Sequence, residues 1–164
     1  MQGTEIFNRI DQLLTDKGYQ VVTTDFTRPW GGFFVIDEAQ SAKFIEEFFP
    51  EVDRKEVMAG GRISPKFLVV APSKRLSWQY HFRRAERWRV LEGPVGVAIS
   101  PNDDQPEPGI YQSNEVVVLG QGTRHRLIGL ENWGLVAEIW QHTVPEQPSD
   151  EEDIVRVQDD FKRK

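Results

Sequence analysis

His81 and His125 are two of only three histidines in the chain, and Glu86 lies between them in sequence. Two imidazoles and a carboxylate form a donor set that holds a divalent transition metal. The chain has no cysteine, which excludes disulfides, thiolate ligands and thiol nucleophiles, so any metal must be held by nitrogen and oxygen. Zinc is the first choice for such donors and iron the second, with manganese, cobalt and nickel also compatible. Gln79, two residues before His81, could add an amide oxygen. Side chains on a strand alternate faces, so Ser77, Gln79 and His81 project to one side. A tight reversal over residues 83–85 would return the next strand with Glu86 facing the same interior, and Trp88 and Val90 would share that face. His125, from a later strand, would close the shell and leave open positions for water or substrate, as catalytic sites require. A structural reading competes: a histidine hydrogen-bonded in a core, and Glu86 merely paired with Arg84 or Arg87. His142, at a strand end near Pro145, reads as structural.

The elements that must position these residues can be read from pattern. Ile6, Phe7, Ile10, Leu13 and Leu14 form one stripe of an amphipathic helix over Thr4–Lys17, with Thr4 as cap and Gly18 as stop. A short strand follows at Tyr19–Thr24, then a fixed turn at Arg28-Pro29-Trp30-Gly31-Gly32 and a strand at Phe33–Ile36. Asp37 can cap a second helix that runs to about Phe49, while residues 54–61 read as loop. From Ile63 the texture changes to short apolar-polar runs broken by Gly, Pro and Asn. Strands are expected at Lys66–Ala71, Leu76–Phe82, Glu86–Leu91, Val95–Ser100, Glu115–Leu119, Arg124–Ile128 and Leu135–His142, with a polar loop at Pro101–Gly109. Many short strands separated by turns predict a mostly β sandwich or barrel. One domain over residues 1–164 is expected: a helical N-terminal extension (1–62), a barrel core (63–145) and a charged tail (146–164). Within the tail, Asp153–Val157 could add an edge strand.

Composition narrows the function classes. The net charge of −6 argues against a general nucleic-acid binder. From Arg62 to Arg126, however, ten Lys and Arg outnumber six Asp and Glu, and a locally positive barrel suits a small anionic ligand such as a sugar phosphate. No stretch approaches the roughly 18 apolar residues of a membrane span. The N-terminus has neither the basic start nor the apolar run of a signal peptide. A soluble cytoplasmic protein is expected, with no membrane or nucleic-acid partner. A homodimer is a general expectation for small barrels that must cover their sheet edges.

The run Gln79-x-His81, then Glu86, then Gly93 resembles the first motif of the cupins, with Gln79 in place of the usual first histidine. Gly122-x-x-His125 resembles the second. Further segments resemble the type II mannose-6-phosphate isomerase family: Arg28-Pro-Trp-Gly, Lys66-Phe-Leu-Val-Val-Ala-Pro, Arg75-Leu-Ser-Trp-Gln-Tyr-His, Arg84-Ala-Glu-Arg-Trp and Glu152-Asp-Ile-Val-Arg156. Short stand-alone bacterial members of this kind are often labelled phosphoheptose isomerases. The resemblance spans roughly Arg28–Arg163, and 76–93 is its most specific part. It implies a cupin double-stranded β-helix (jelly-roll) barrel with N-terminal α-helices. It also implies metal ligation by Gln79, His81, Glu86 and His125, and aldose–ketose interconversion of a phosphorylated sugar through an enediolate. The chain departs from the family at His81-Phe82-Arg83, where three histidines are usual, and at Gly120, where proline is usual. The glycine-rich signature of the nucleotidyltransferase domain in larger members is absent from these residues.

The resemblance places Lys66 and Ser77 on the pocket wall, with Lys66 suited to an oxyanion or phosphate and Arg84 a second anion-binding candidate. Trp30 would shape the cavity mouth. Glu138, a charge amid the apolar strand Leu135-Val-Ala-Glu-Ile-Trp, has two readings: the general base, or an outward glutamate paired with an arginine. A slip of one residue in that strand reverses its face. Trp78, opposite in phase to Gln79, should pack under the N-terminal helices. Two rival functions stay open beside the isomerase: a non-catalytic sugar-binding cupin, and an iron-dependent oxygenase using two histidines and one carboxylate.

Overall fold

The computed structural model describes residues 2–163; Met1 and Lys164, the two ends of the expected domain, lie outside them. Helix α1 (Gly3–Asp16) leads into β1 (Val21–Arg28) and β2 (Gly31–Ile36). A single 3-10 turn (Glu38–Gln40) runs into α2 (Ser41–Phe48), and α3 (Arg54–Val57) follows. The remaining elements are strands: β3 (Lys66–Val70), β4 (Trp78–Tyr80), β5 (Arg84–Glu92), β6 (Val95–Ser100), β7 (Gly109–Tyr111), β8 (Val116–Leu119), β9 (Arg124–Ile128), β10 (Gly134–His142) and β11 (Val155–Gln158). They form two antiparallel sheets, a larger one ordered β1-β2-β3-β10-β5-β8 and a smaller one ordered β11-β4-β9-β6-β7. This is the mostly β, two-sheet architecture the sequence leads one to expect. Strands from outside 63–145 complete it: β1 and β2 extend one edge of the larger sheet, and β11 from the tail forms an edge of the smaller.

The larger sheet has a use for both faces. On its outer face Phe34, Phe67, Val69, Leu135, Ala137 and Ile139 pack against α1 and α2 through Ile6, Ile10, Phe44 and Phe48. Each large side chain buried there is worth at most about 1.5–3 kcal/mol. On its inner face Phe33, Leu68, Val70, Trp88, Val90 and Val136 meet Val97, Leu127 and Leu76. Covered on both sides, β3 and β10 read as nearly unbroken apolar runs, and Lys66 and Glu138 within them point inward. β5, with its other face less covered, alternates instead: Arg84, Glu86, Trp88 and Val90 are buried while 85, 87, 89 and 91 are only half-buried.

Three local departures from expectation have physical causes. Residues 54–57 are helical because the Asp53 side chain accepts from the N–H groups of Lys55 and Glu56, capping a helix too short to show periodicity. α1 begins one residue earlier than Thr4, with Gln2 at the cap position and no side-chain cap bond. Trp78 does face away from the cavity, but its indole N–H donates to Asp103 O at 2.8 Å, so it packs beneath the 101–109 loop and not beneath the helices. The helices lie on the other sheet.

Gly31 shows why the turn before β2 needs glycine. Its φ is +147°, and an added Cβ would stand 1.9 Å from Val69 O. Backbone approach this close seats β2 on β3, beside the buried Trp30, which lines the cavity.

Candidate metal centre

Gln79, on β4, lies opposite His125 of β9, and Glu86 lies on β5 in the facing sheet. His81 follows β4 directly. The three residues His81, Glu86 and His125 converge, with their ligand atoms all within 4.8 Å of one another and all three side chains buried. His81 Nε2 stands 3.3 Å from His125 Nε2 and 3.1 Å from Glu86 Oε2, and His125 Nε2 is 3.7 Å from Glu86 Oε1. Ligands about 2.0–2.2 Å from one cation stand roughly 3–3.6 Å apart, so the group fits a single metal ion.

The tautomers fit as well. His81 Nδ1 donates to Asp153 O at 2.7 Å and His125 Nδ1 donates to Thr123 O at 2.9 Å. Each Nε2 then turns a lone pair toward the centre, the usual arrangement of an imidazole ligand, and that of His81 also accepts from Arg84 Nη2 at 3.1 Å. Burial, opposed by Glu86 and reinforced by His81 and Arg84, holds the His125 pKa down at about 4, so its ring is neutral at physiological pH. Burial alone would keep Glu86 protonated. The charge of Arg84, whose Nε donates to Glu86 Oε2 at 2.7 Å, and the neighbouring His81 overcome it and hold this carboxyl well below its usual range. Pairing with Arg84 and membership of the histidine cluster are therefore not alternatives; Glu86 does both.

Of the residues expected to join this shell, Gln79 lines a cavity that Glu86 also lines, and its Oε1 accepts from Ser77 Oγ at 2.5 Å. Ser77 is fully buried beneath it and is not among the residues lining the cavity. Trp30, Lys66 and Arg84 do line it. Lys66 is buried, ion-paired with Glu151 and set 4.3 Å over the Trp140 ring. Arg84 also bonds Ser149 Oγ and Asp150 O, each at 3.0 Å, which ties the tail segment to β5. His142 stays apart from this cluster: Ser149 N donates to its Nδ1 at 3.0 Å and Ser64 Oγ lies 3.1 Å from its Nε2.

Glu138 faces the cavity. Trp88 Nε1 donates to Glu138 Oε2 at 2.8 Å, and Trp140 Nε1 donates to Oε1 at 2.9 Å. The Trp88 N–H also reaches Glu86 Oε1 at 3.2 Å, so it lies between the two carboxyls. Burial first, then the charge of Glu86, push the Glu138 pKa up to about 8 against the pull of Lys66 and Arg84. The cavity itself, about 140 Å3, also takes Arg28, Glu151, Arg156 and Arg163 into its wall. Sequence reasoning gave these four no role. Arg28 and Arg156 stood in quoted motifs, but nothing in their spacing showed that they face inward.

Two facing antiparallel sheets with an inward His–His–Glu cluster define a cupin-type domain. The chain belongs to the family described as mannose-6-phosphate isomerase C-terminal, whose model matches residues 42–159. It is 27% identical over 150 residues to a mannose-1-phosphate guanylyltransferase of Salmonella montevideo, covering 92% of this chain and 26% of that protein. It is 29% identical over 136 residues to the guanylyltransferase ManC of Salmonella typhimurium, covering 83% of this chain and 22% of the other. The chain thus spans about a quarter of the length of these curated relatives. Among solved structures it resembles the capsular polysaccharide assembling protein CapF of Staphylococcus aureus, with a TM-score of 0.58 and 15% identity over 88% of this chain and 36% of that one. Identity this low speaks for the fold alone. Among the described residues no helix is long and apolar enough to cross a membrane.

Proposed function

We propose that this domain is a metal-dependent aldose–ketose isomerase acting on a phosphorylated sugar of the mannose 6-phosphate or heptose phosphate type, in the cytoplasm. The observation that carries the reading is the placement of Glu138. It shares one cavity with Glu86, whose carboxylate meets His81 and His125, and its pKa of about 8 lets it take up and release a proton near neutrality. His81, His125 and Glu86 would hold the cation, with Gln79 beside them, and zinc is the first candidate among the metals these donors accept. When bound, the cation supplies Lewis-acid stabilisation of the negative charge that develops on the sugar's O1 and O2.

Glu138 then acts as the shuttle. As carboxylate it removes the proton from C2 of the aldose, and the C2–H electron pair forms the C1–C2 double bond of an enediolate. Returning that proton to C1 completes the ketose, while the hydroxyl proton passes from O2 to O1. The indole N–H groups of Trp88 and Trp140 hold the carboxyl in place throughout. Lys66 and Arg84 oppose the rise in its pKa and keep the charged form accessible.

The test is an assay of purified protein on mannose 6-phosphate, fructose 6-phosphate and sedoheptulose 7-phosphate, with zinc and after chelation. Interconversion restored by metal supports the proposal. Binding without turnover points to a sugar-binding cupin. A second reading has one observation behind it: two histidines and a carboxylate, with Gln79 tied to Ser77, also match the ligand set of non-haem iron oxygenases. Oxygen uptake by the iron-loaded protein would favour that reading.

A further inference from the structure

We propose that Arg28, Arg156 and Arg163 form the phosphate-binding end of the cavity, opposite the metal cluster. This assignment rests on the isomerase reading for the identity of the ligand and differs from the sequence expectation, which gave the phosphate to Lys66 or Arg84. Those two cations are already engaged. Lys66 is paired with Glu151 and Arg84 with Glu86, and both carboxylates belong to the same cavity wall. The other three cations of the wall come from the end of β1, from β11 and from the segment beyond it.

Arg28 and Arg163 are oriented by aspartates that lie outside the cavity wall. Arg28 lies 3.1 Å from Asp25 and 5.4 Å over the Phe33 ring. Arg163 is held by Asp159 through two bonds, at 2.7 and 3.1 Å. Neither aspartate is among the residues lining the cavity. Arg156 sits opposite Gln79 in the β11–β4 pairing, and Gln79 sits opposite His125 in the β4–β9 pairing. Directly opposed residues share a face, so Arg156, Gln79 and His125 form one inward row. Two strand spacings separate its ends, about 10 Å between backbones. A sugar with its carbonyl end at the metal and a phosphate ester at its far end lies along such a row. The three guanidiniums are also close enough to act on one another: after burial, Arg163 and Arg28 lower the Arg156 pKa, against Asp159 and Glu151, which raise it. A phosphate dianion would relieve that repulsion and accept the planar, forked donors that arginine presents.

The experiment is calorimetric titration of the metal-loaded protein with inorganic phosphate, mannose 6-phosphate and mannose, for wild type and for Arg28→Gln, Arg156→Gln, Arg163→Gln and Lys66→Gln. Each arginine variant should weaken mannose 6-phosphate and inorganic phosphate by roughly ten- to hundredfold, with affinity for mannose and metal content unchanged. Lys66→Gln should change phosphate affinity by less. Arg156→Lys, which keeps the charge but not the fork, should fall between wild type and Arg156→Gln. The assignment is overturned if wild type does not prefer mannose 6-phosphate to mannose. It is also overturned if the arginine variants bind phosphate like wild type, or lose mannose and mannose 6-phosphate by the same factor. Arg28, the last residue of the edge strand β1, and Arg163, beyond β11, guard against an Arg156 variant that fails to fold. Arginine-dependent binding without isomerisation would remove the isomerase reading and leave this site standing, whereas isomerisation of sugar phosphates undiminished in the variants would do the reverse.

Discussion

The Nε2 atoms of His81 and His125 face each other at 3.3 Å, and each ring spends its Nδ1 proton on a backbone carbonyl. Two lone pairs this close, in a buried site with a carboxylate and only the Arg84 guanidinium donating to one of them, are held together best by a cation. Chelation should therefore lower the melting temperature. A metal at a hundredfold its Kd contributes about 2.7 kcal/mol, which for a chain of this size is roughly 5–10 °C. Thermal denaturation before and after chelation, with zinc added back, checks this. His81→Ala should abolish metal content by elemental analysis; stoichiometric metal in that variant would refute the shell.

Gln79 should prove secondary to the three converging ligands. Its amide oxygen already accepts from Ser77, and the His–His–Glu group closes on one point without it. Gln79→Ala should retain one metal per chain with affinity reduced by about ten- to hundredfold, while His125→Ala should retain none. Metal-free Gln79→Ala protein would place the amide among the essential ligands.

The position of Glu138 makes a further test specific. Two different indole N–H groups address its two oxygens, and a glutamine there offers only one acceptor. Glu138→Gln should cost about 1–3 kcal/mol for the N–H left facing an amide. It should also cut kcat by about 10²- to 10⁴-fold with metal content intact. A glutamine variant with wild-type turnover would show that the proton is carried elsewhere.

How much of this was legible beforehand depends on whether a residue's role follows from local spacing. Strand alternation alone puts Glu86, Trp88 and Val90 on one side of β5, and the structure agrees, because β5 has one face turned to the cavity and the other less covered. Glu138 could not be settled that way. β10 is covered on both faces, so no polar–apolar rhythm marks which side is inward. Arg156 and Arg163 were hidden for a different reason: the tail's fold-back onto β4 is a contact between segments far apart in sequence. The short strand Gly109–Tyr111 went unseen at the end of a polar loop, since three residues with one neighbour strand carry no pattern.

Arg126 illustrates a buried charge with a structural use. It is almost wholly buried, and its guanidinium bonds Leu76 O at 2.7 Å, Gln105 Oε1 at 3.1 Å and Gln158 O at 3.1 Å, joining β9 to the 101–109 loop and to β11. Burial and the nearby Arg75 pull its pKa down to about 10, still well above neutrality. Arg126→Ala strands two backbone carbonyls at once. The loss should be about 2–4 kcal/mol in denaturant unfolding, with faster amide exchange in 155–158. A change below roughly 0.5 kcal/mol would mean water replaces the guanidinium without cost.

The last anchor of the tail gives a pH dependence with a definite sign. Arg75 Nε and Nη2 donate to the two oxygens of Asp160 at 2.6 and 2.9 Å, and this pairing, against a smaller effect of burial, depresses the Asp160 pKa from 3.8 to about 2. A carboxyl that binds its proton more weakly in the folded state contributes stability that is full above the unfolded pKa and fades as pH falls through the folded one. The contribution should therefore be complete above pH about 4 and disappear toward pH about 2. Both side chains are more than a third exposed, so solvent screening limits it to about 1 kcal/mol or less. Asp160→Asn should accordingly melt about 2–4 °C below wild type at pH 6, and the gap should close at the acid end of the range. A gap that stays constant from pH 6 down to the acid end would show that the carboxylate charge is not what fastens the tail.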